Sequence, residues 1–150
     1  GKRGEKEIYY DAESRRNSIT YRGNMIRLVD QLIIENENEK AKEILDLAMV
    51  KMPIEDFGFY TLLIPFINSY YTIEKKEKAR DVFEKIAIKY KENLEYYSSI
   101  SDSNKNKYAE LIYTDIERYR SLVDVLISYE EGEYLESKMK EFNDYLDLFL

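Results

Sequence analysis

The chain contains neither histidine nor cysteine, and each absence narrows its chemistry. Without imidazole it lacks the side chain that most often acts as general base near neutral pH. Without thiol it has no thiolate nucleophile, no disulfide and no zinc site built on nitrogen or sulfur. Tryptophan is missing too, the prolines number two, and the five glycines are scattered, with no GxGxxG or GxxxxGK run to cradle a phosphate. No apolar run approaches the ~18 residues a membrane-spanning helix needs, and no secretory h-region opens the chain. These absences assign no compartment, because a chain without cysteine suits oxidising and reducing surroundings alike. They leave no metal site, no cofactor and no catalytic group to nominate.

What is present points to a packed helical protein. With 150 residues, 44% of them hydrophobic and 35% charged, the chain can build one domain around one core. The net charge of -7 disfavours a nucleic-acid partner, whose phosphates require a clustered basic footprint. That charge is unevenly spread. Residues 1–27 hold seven Lys or Arg against four Asp or Glu, whereas the remainder is strongly acidic. Arg15, Arg16, Arg22 and Arg27 form a basic entry patch, suited to an acidic surface or to lipid headgroups. Its simpler reading is a solvated helix face.

Apolar residues recur with the helical period, and the pattern itself repeats. Ile19, Ile26, Leu28, Val29, Leu32 and Ile33 stripe a first helix that begins after Asp11 or Ser14 and is ended by Asn36, a residue that tolerates the left-handed stop. Ala41, Ile44, Leu45, Ala48, Met49 and Met52 stripe a second, stopped by Pro53. A third spans about residues 56–72, with Leu63, Phe66, Ile67 and Tyr70 inward, and either kinks or begins its regular part at Pro65. The fourth, near 75–97, carries Ala79, Val82, Phe83, Ile86, Ala87, Tyr90 and Leu94. Ala41 and Ala79 open equivalent helices 38 residues apart, a spacing of helical-hairpin repeats that bury their faces by stacking. After a break at residues 98–104, Tyr119, Leu122, Val123, Leu126, Leu135, Met139 and Phe142 repeat the spacing a third time. The expectation is an all-α domain over 1–150: six helices in three antiparallel hairpins, at about 15–53, 56–97 and 104–150.

With Met25, Leu28, Val29, Leu32, Ala41, Leu45, Ala48 and Pro53, then Leu63, Phe66, Ile67, Tyr70, Ala79, Phe83 and Ile86, the chain resembles the tetratricopeptide family. Val29, Ile67 and Ile86 are larger than the residues usual at those places, so the pattern is tetratricopeptide-like. The opening segment carries a narrower likeness. Asp11, Arg15-Arg16, Tyr21-Arg22 and Arg27-Leu28, followed by Glu39-Lys40-Ala41, Met49, Pro53 and Tyr70-Tyr71, look like the soluble C-terminal tail of a family of large bacterial multi-spanning membrane proteins related to protein O-mannosyltransferases. That resemblance implies a presumed glycosyltransferase in the membrane region, with this tail on the periplasmic side of the inner membrane and non-catalytic in itself. Its partner would be a protein or peptide, its own membrane region included. A free-standing cytoplasmic adaptor, or a module that holds acceptor peptide or glycan, stays open.

Register from the core positions places Ile26, Asp30 and Ile33 of the first repeat, Ile64, Asn68 and Tyr71 of the second, and Arg120 and Asp124 of the third on the face that such repeats present to a ligand. A clamp for a peptide carboxylate is disfavoured, since Asp30 stands where a polar clamp residue belongs and no lysine joins Asn68. Fifteen tyrosines could contribute aromatic contacts at Tyr9-Tyr10, Tyr70-Tyr71 and Tyr96-Tyr97. The simpler expectation is that one member of each pair packs inward.

Overall fold

A computed structural model describes residues 12–51, 53 and 63–150, with side chains placed at Asn17 and from Ile19 onward within the first helix. Among the described residues the protein is all-helical, with seven helices: α1 (Ala12–Ile34), α2 (Asn38–Lys51), α3 (Ile64–Thr72), α4 (Lys76–Ser99), α5 (Asp102–Lys107), α6 (Ala109–Ile127) and α7 (Glu133–Asp147). Cap Asp11, Met52, the start of a helix at Asp56 and the pair Tyr9-Tyr10 lie outside the described residues. The chain divides into two compact units, one ending at Val82 and the other beginning at Phe83.

In the first unit α1 and α2 form a tight hairpin, and α3 packs on both. The turn between α1 and α2 closes by Glu37 N–H donating to the Leu32 carbonyl and Asn36 N–H to that of Ile33, with Asn36 at φ +60°. This is the left-handed stop that satisfies a helix's last carbonyls. The turn after α3 is built identically, from Lys75 to Tyr70 and Glu74 to Tyr71, with Glu74 at φ +61°. Each atom in the second turn is 38 residues on from its counterpart in the first, so the repeat extends to backbone geometry. Pro65 lies in the first turn of α3, where a missing N–H leaves no helical bond unmade.

The small residues Ala41 and Ala48, with Leu45, Val29, Leu63, Phe66 and Ile67, are fully enclosed. Each large apolar side chain so buried contributes about 1.5–3 kcal/mol. Leu28 departs from its expected inward place and is 47% exposed, although Phe66 and Leu122 at the matching positions are buried. Asp46 on α2 ties the unit together: it accepts the Tyr70 hydroxyl at 2.5 Å and Lys42 Nζ at 2.9 Å, with Lys78 Nζ at 3.7 Å. Partial burial works to raise the Asp46 carboxyl, but the Tyr70 hydroxyl and the two lysines outweigh it and hold the group below the usual carboxylate range. Burial and the Asp46 charge push the Tyr70 phenol far up.

In the second unit the latter part of α4 packs with α6 and α7. Asn93 bonds to Asp115, and Tyr90 stacks on Tyr119, so positions advance along α4 as they retreat along α6: the two run antiparallel. Along α7 the pairing has a constant separation of 50 residues, Tyr134 donating to Glu84, Lys91 to Glu141 and Tyr145 to Glu95. A constant separation means that α4 and α7 run parallel. Lys138 completes this polar seam, 2.6 Å from Glu84 and 3.5 Å from Glu141. Burial alone would lower the Lys138 ammonium and raise the Glu141 carboxyl, yet their partners move both the other way. Tyr145, desolvated and facing Glu95, is pushed up to about 12.

The expected break at residues 98–104 is shorter than its composition implies. Ser98 and Ser99 turn their hydroxyls back onto the carbonyls of Glu95 and Tyr96, which lets α4 continue to Ser99. After Ile100 and Ser101 the short helix α5 follows, an element beyond the six expected. Leu135, where the earlier hairpins have alanine, is half-buried, and Met139 is 41% exposed.

Candidate functional site

The described part of the first unit has a cleft of about 380 Å³ between α1 and α3. Ile26, Asp30, Ile33 and Ile34 line it from α1, one or two turns apart on one face; Pro65, Asn68, Ser69 and Thr72 line it from α3. Four of the residues placed by register on a ligand face, Ile26, Asp30, Ile33 and Asn68, therefore converge. The last turn of α3 is held by the Thr72 hydroxyl, which donates to the Asn68 carbonyl at 2.8 Å. Ile64 and Tyr71 are half-buried on α3 beside the cleft but do not line it. Arg120 and Asp124 line another cleft, of about 270 Å³, between α6 and α7 of the second unit.

The first cleft has apolar walls and polar tips. Isoleucines and Pro65 supply contact area, exposed Asp30 offers an anionic acceptor, and Asn68 offers both a donor and an acceptor. Such a set can pair with peptide amides and with a cationic side chain. No protein-family profile, curated protein or solved structure matches this chain. Among the described residues no group of three or more carboxylates is placed to hold a metal ion, and no helix is long and apolar enough to cross a membrane.

The basic residues of the entry segment occupy different environments. Arg15 and Arg16 belong to α1, with side chains outside the described part. Arg22 is buried, 1% exposed, and desolvation lowers its guanidinium pKa. Arg27 is exposed, with Nη1 3.4 Å from the Asn24 side-chain oxygen. Of the tyrosine pairs, Tyr70 is buried beside half-buried Tyr71, and Tyr96 is 59% exposed, edge-on to Tyr97.

Two arrangements escaped the sequence reading. The Asp46 hub was half visible, since Lys42 and Asp46 stand at the i,i+4 spacing that pairs charges on a helix, but its link to Tyr70 crosses between helices. The seam of Glu84, Lys91 and Glu95 with Tyr134, Lys138, Glu141 and Tyr145 had one signal, matching steps of three, four or seven on both helices.

Proposed function

We propose that this chain is a non-catalytic, tetratricopeptide-like interaction domain that holds an extended peptide in the cleft between α1 and α3. The observation that carries this is the convergence of Ile26, Asp30, Ile33 and Asn68, chosen by register alone, on one concavity. Hairpin stacking is supported by the turn repeated at 38 residues in the first unit, and by the parallel α4 and α7 flanking antiparallel α6 in the second. The peptide favoured is one that sets a Lys or Arg against Asp30 and apolar side chains against the isoleucines. The sequence resemblance supports a setting as the tail of a membrane glycosyltransferase-like protein, on the periplasmic side. There the same cleft would hold an acceptor segment for the membrane region.

Selection from a random-peptide phage library tests the cleft. Enriched peptides should carry a basic residue, and should lose at least about tenfold in affinity to Asp30→Lys and to Asn68→Ala. Enrichment that neither substitution weakens would place recognition elsewhere and end this reading.

A further inference from the structure

The cleft between α6 and α7 matches, 94 residues on, the surface that seats α3 in the first unit. Val29, Asp30, Leu45 and Ala48 there correspond to Val123, Asp124, Met139 and Phe142. In the first unit α3 packs on α1 and α2, and Val29, Leu45 and Ala48 have no exposure. In the second unit, among the described residues, exposed Met139 (41%) and Ile127 (54%) rim the cleft over a nearly buried floor of Val123 and Phe142. A seat for a helix, rimmed by exposed Ile127 and Met139, is suited to association.

Charge identifies the occupant. Arg120 stands where the first repeat has Ile26, one turn from Asp124, and both line the cleft. Its guanidinium lies 5.6 Å from the centre of the Phe142 ring and 3.7 Å from Glu117, an exposed pairing that contributes little. A cation and an anion one turn apart on a helix are self-complementary about a two-fold axis. An antiparallel α6 from another copy brings its Asp124 to Arg120 and its Arg120 to Asp124. We infer that this cleft is a two-fold association face, in which α6 of a second copy of the chain seats antiparallel to α6. Ile127 and Met139 form its apolar centre above Val123, and the Arg120–Asp124 pairs fix its orientation.

Sedimentation equilibrium of the whole chain over a range of concentrations tests this, with circular dichroism to verify that each variant is folded. The expected result is a monomer–dimer equilibrium weakened about tenfold or more by Arg120→Asp and by Asp124→Arg separately. An equimolar mixture of the two variants should associate as tightly as the parent, because every facing pair is then opposite in charge. Three results would each overturn the inference: a parent that stays monomeric throughout, a dimer indifferent to both substitutions, or a mixture no tighter than either variant alone.

Discussion

Glu74 sits at a φ of +61°, a conformation that costs a side chain with a Cβ about 1 kcal/mol and costs glycine almost nothing. Glu74→Gly should therefore stabilise the protein by about 0.5–1 kcal/mol, read as a higher urea midpoint at unchanged slope. The left-handed stop was legible at Asn36, where residue type announces it. At Glu74 only the 38-residue offset did, since no propensity favours glutamate there. Asp46 makes the opposite kind of contribution. Its carboxyl is held low, so the stabilisation is fully present above the unfolded value of about 3.9 and is lost as pH falls through the folded value. Asp46→Asn should cost about 1–2 kcal/mol at pH 7, with the deficit closing below about pH 4. Asp115 behaves in reverse. Burial raises its carboxyl despite Asn93 and Arg118, so the folded state holds the proton more tightly and stability falls as pH rises through that window. Asp115→Asn should thus raise the melting temperature at pH 7 and lose that advantage in acid, as calorimetry at the two pH values would reveal.

Helices with a single buried stripe were the most legible elements. Every residue assigned to the stripe of α4 is at most 2% exposed, because its period of 3.6 is uninterrupted from Ala79 to Leu94. The break at 98–104 misled because serine and asparagine favour loops by composition, whereas Ser98 and Ser99 satisfy their hydroxyls on the helix itself. Of the ligand-face residues, those facing straight across α1 and α3 were recoverable from register. Ile64 and Tyr71 fell to the side, since a stripe predicts direction to no better than part of a turn. Small residues at the openings of α2 and α4 carry their own expectation. Ala41 has no exposure at the α1–α2 contact, so Ala41→Leu should overpack it and cost about 1–3 kcal/mol by chemical denaturation.

At the scale of the molecule, a chain of net charge -7 still pairs its charges locally at Asp46 and along the α4–α7 seam. Glu141 is held low and Lys138 high, so their contribution survives between the unfolded values of about 4.3 and 10.4 and is lost as pH falls through the folded Glu141 value or rises through the folded Lys138 value. Thermal unfolding followed across pH should accordingly show a plateau with a fall on each side. The parallel seam between α4 and α7 has a further consequence, for the order of assembly. Its partners are separated by 50 residues, whereas Tyr119 and Phe142, which meet edge-on across α6 and α7, are much closer in the chain. Closing the longer loop costs more entropy before any contact rewards it, so the α6–α7 hairpin should form early and the seam last. In stopped-flow measurements Phe142→Leu should slow folding, while Glu141→Gln should leave the folding rate nearly unchanged and hasten unfolding.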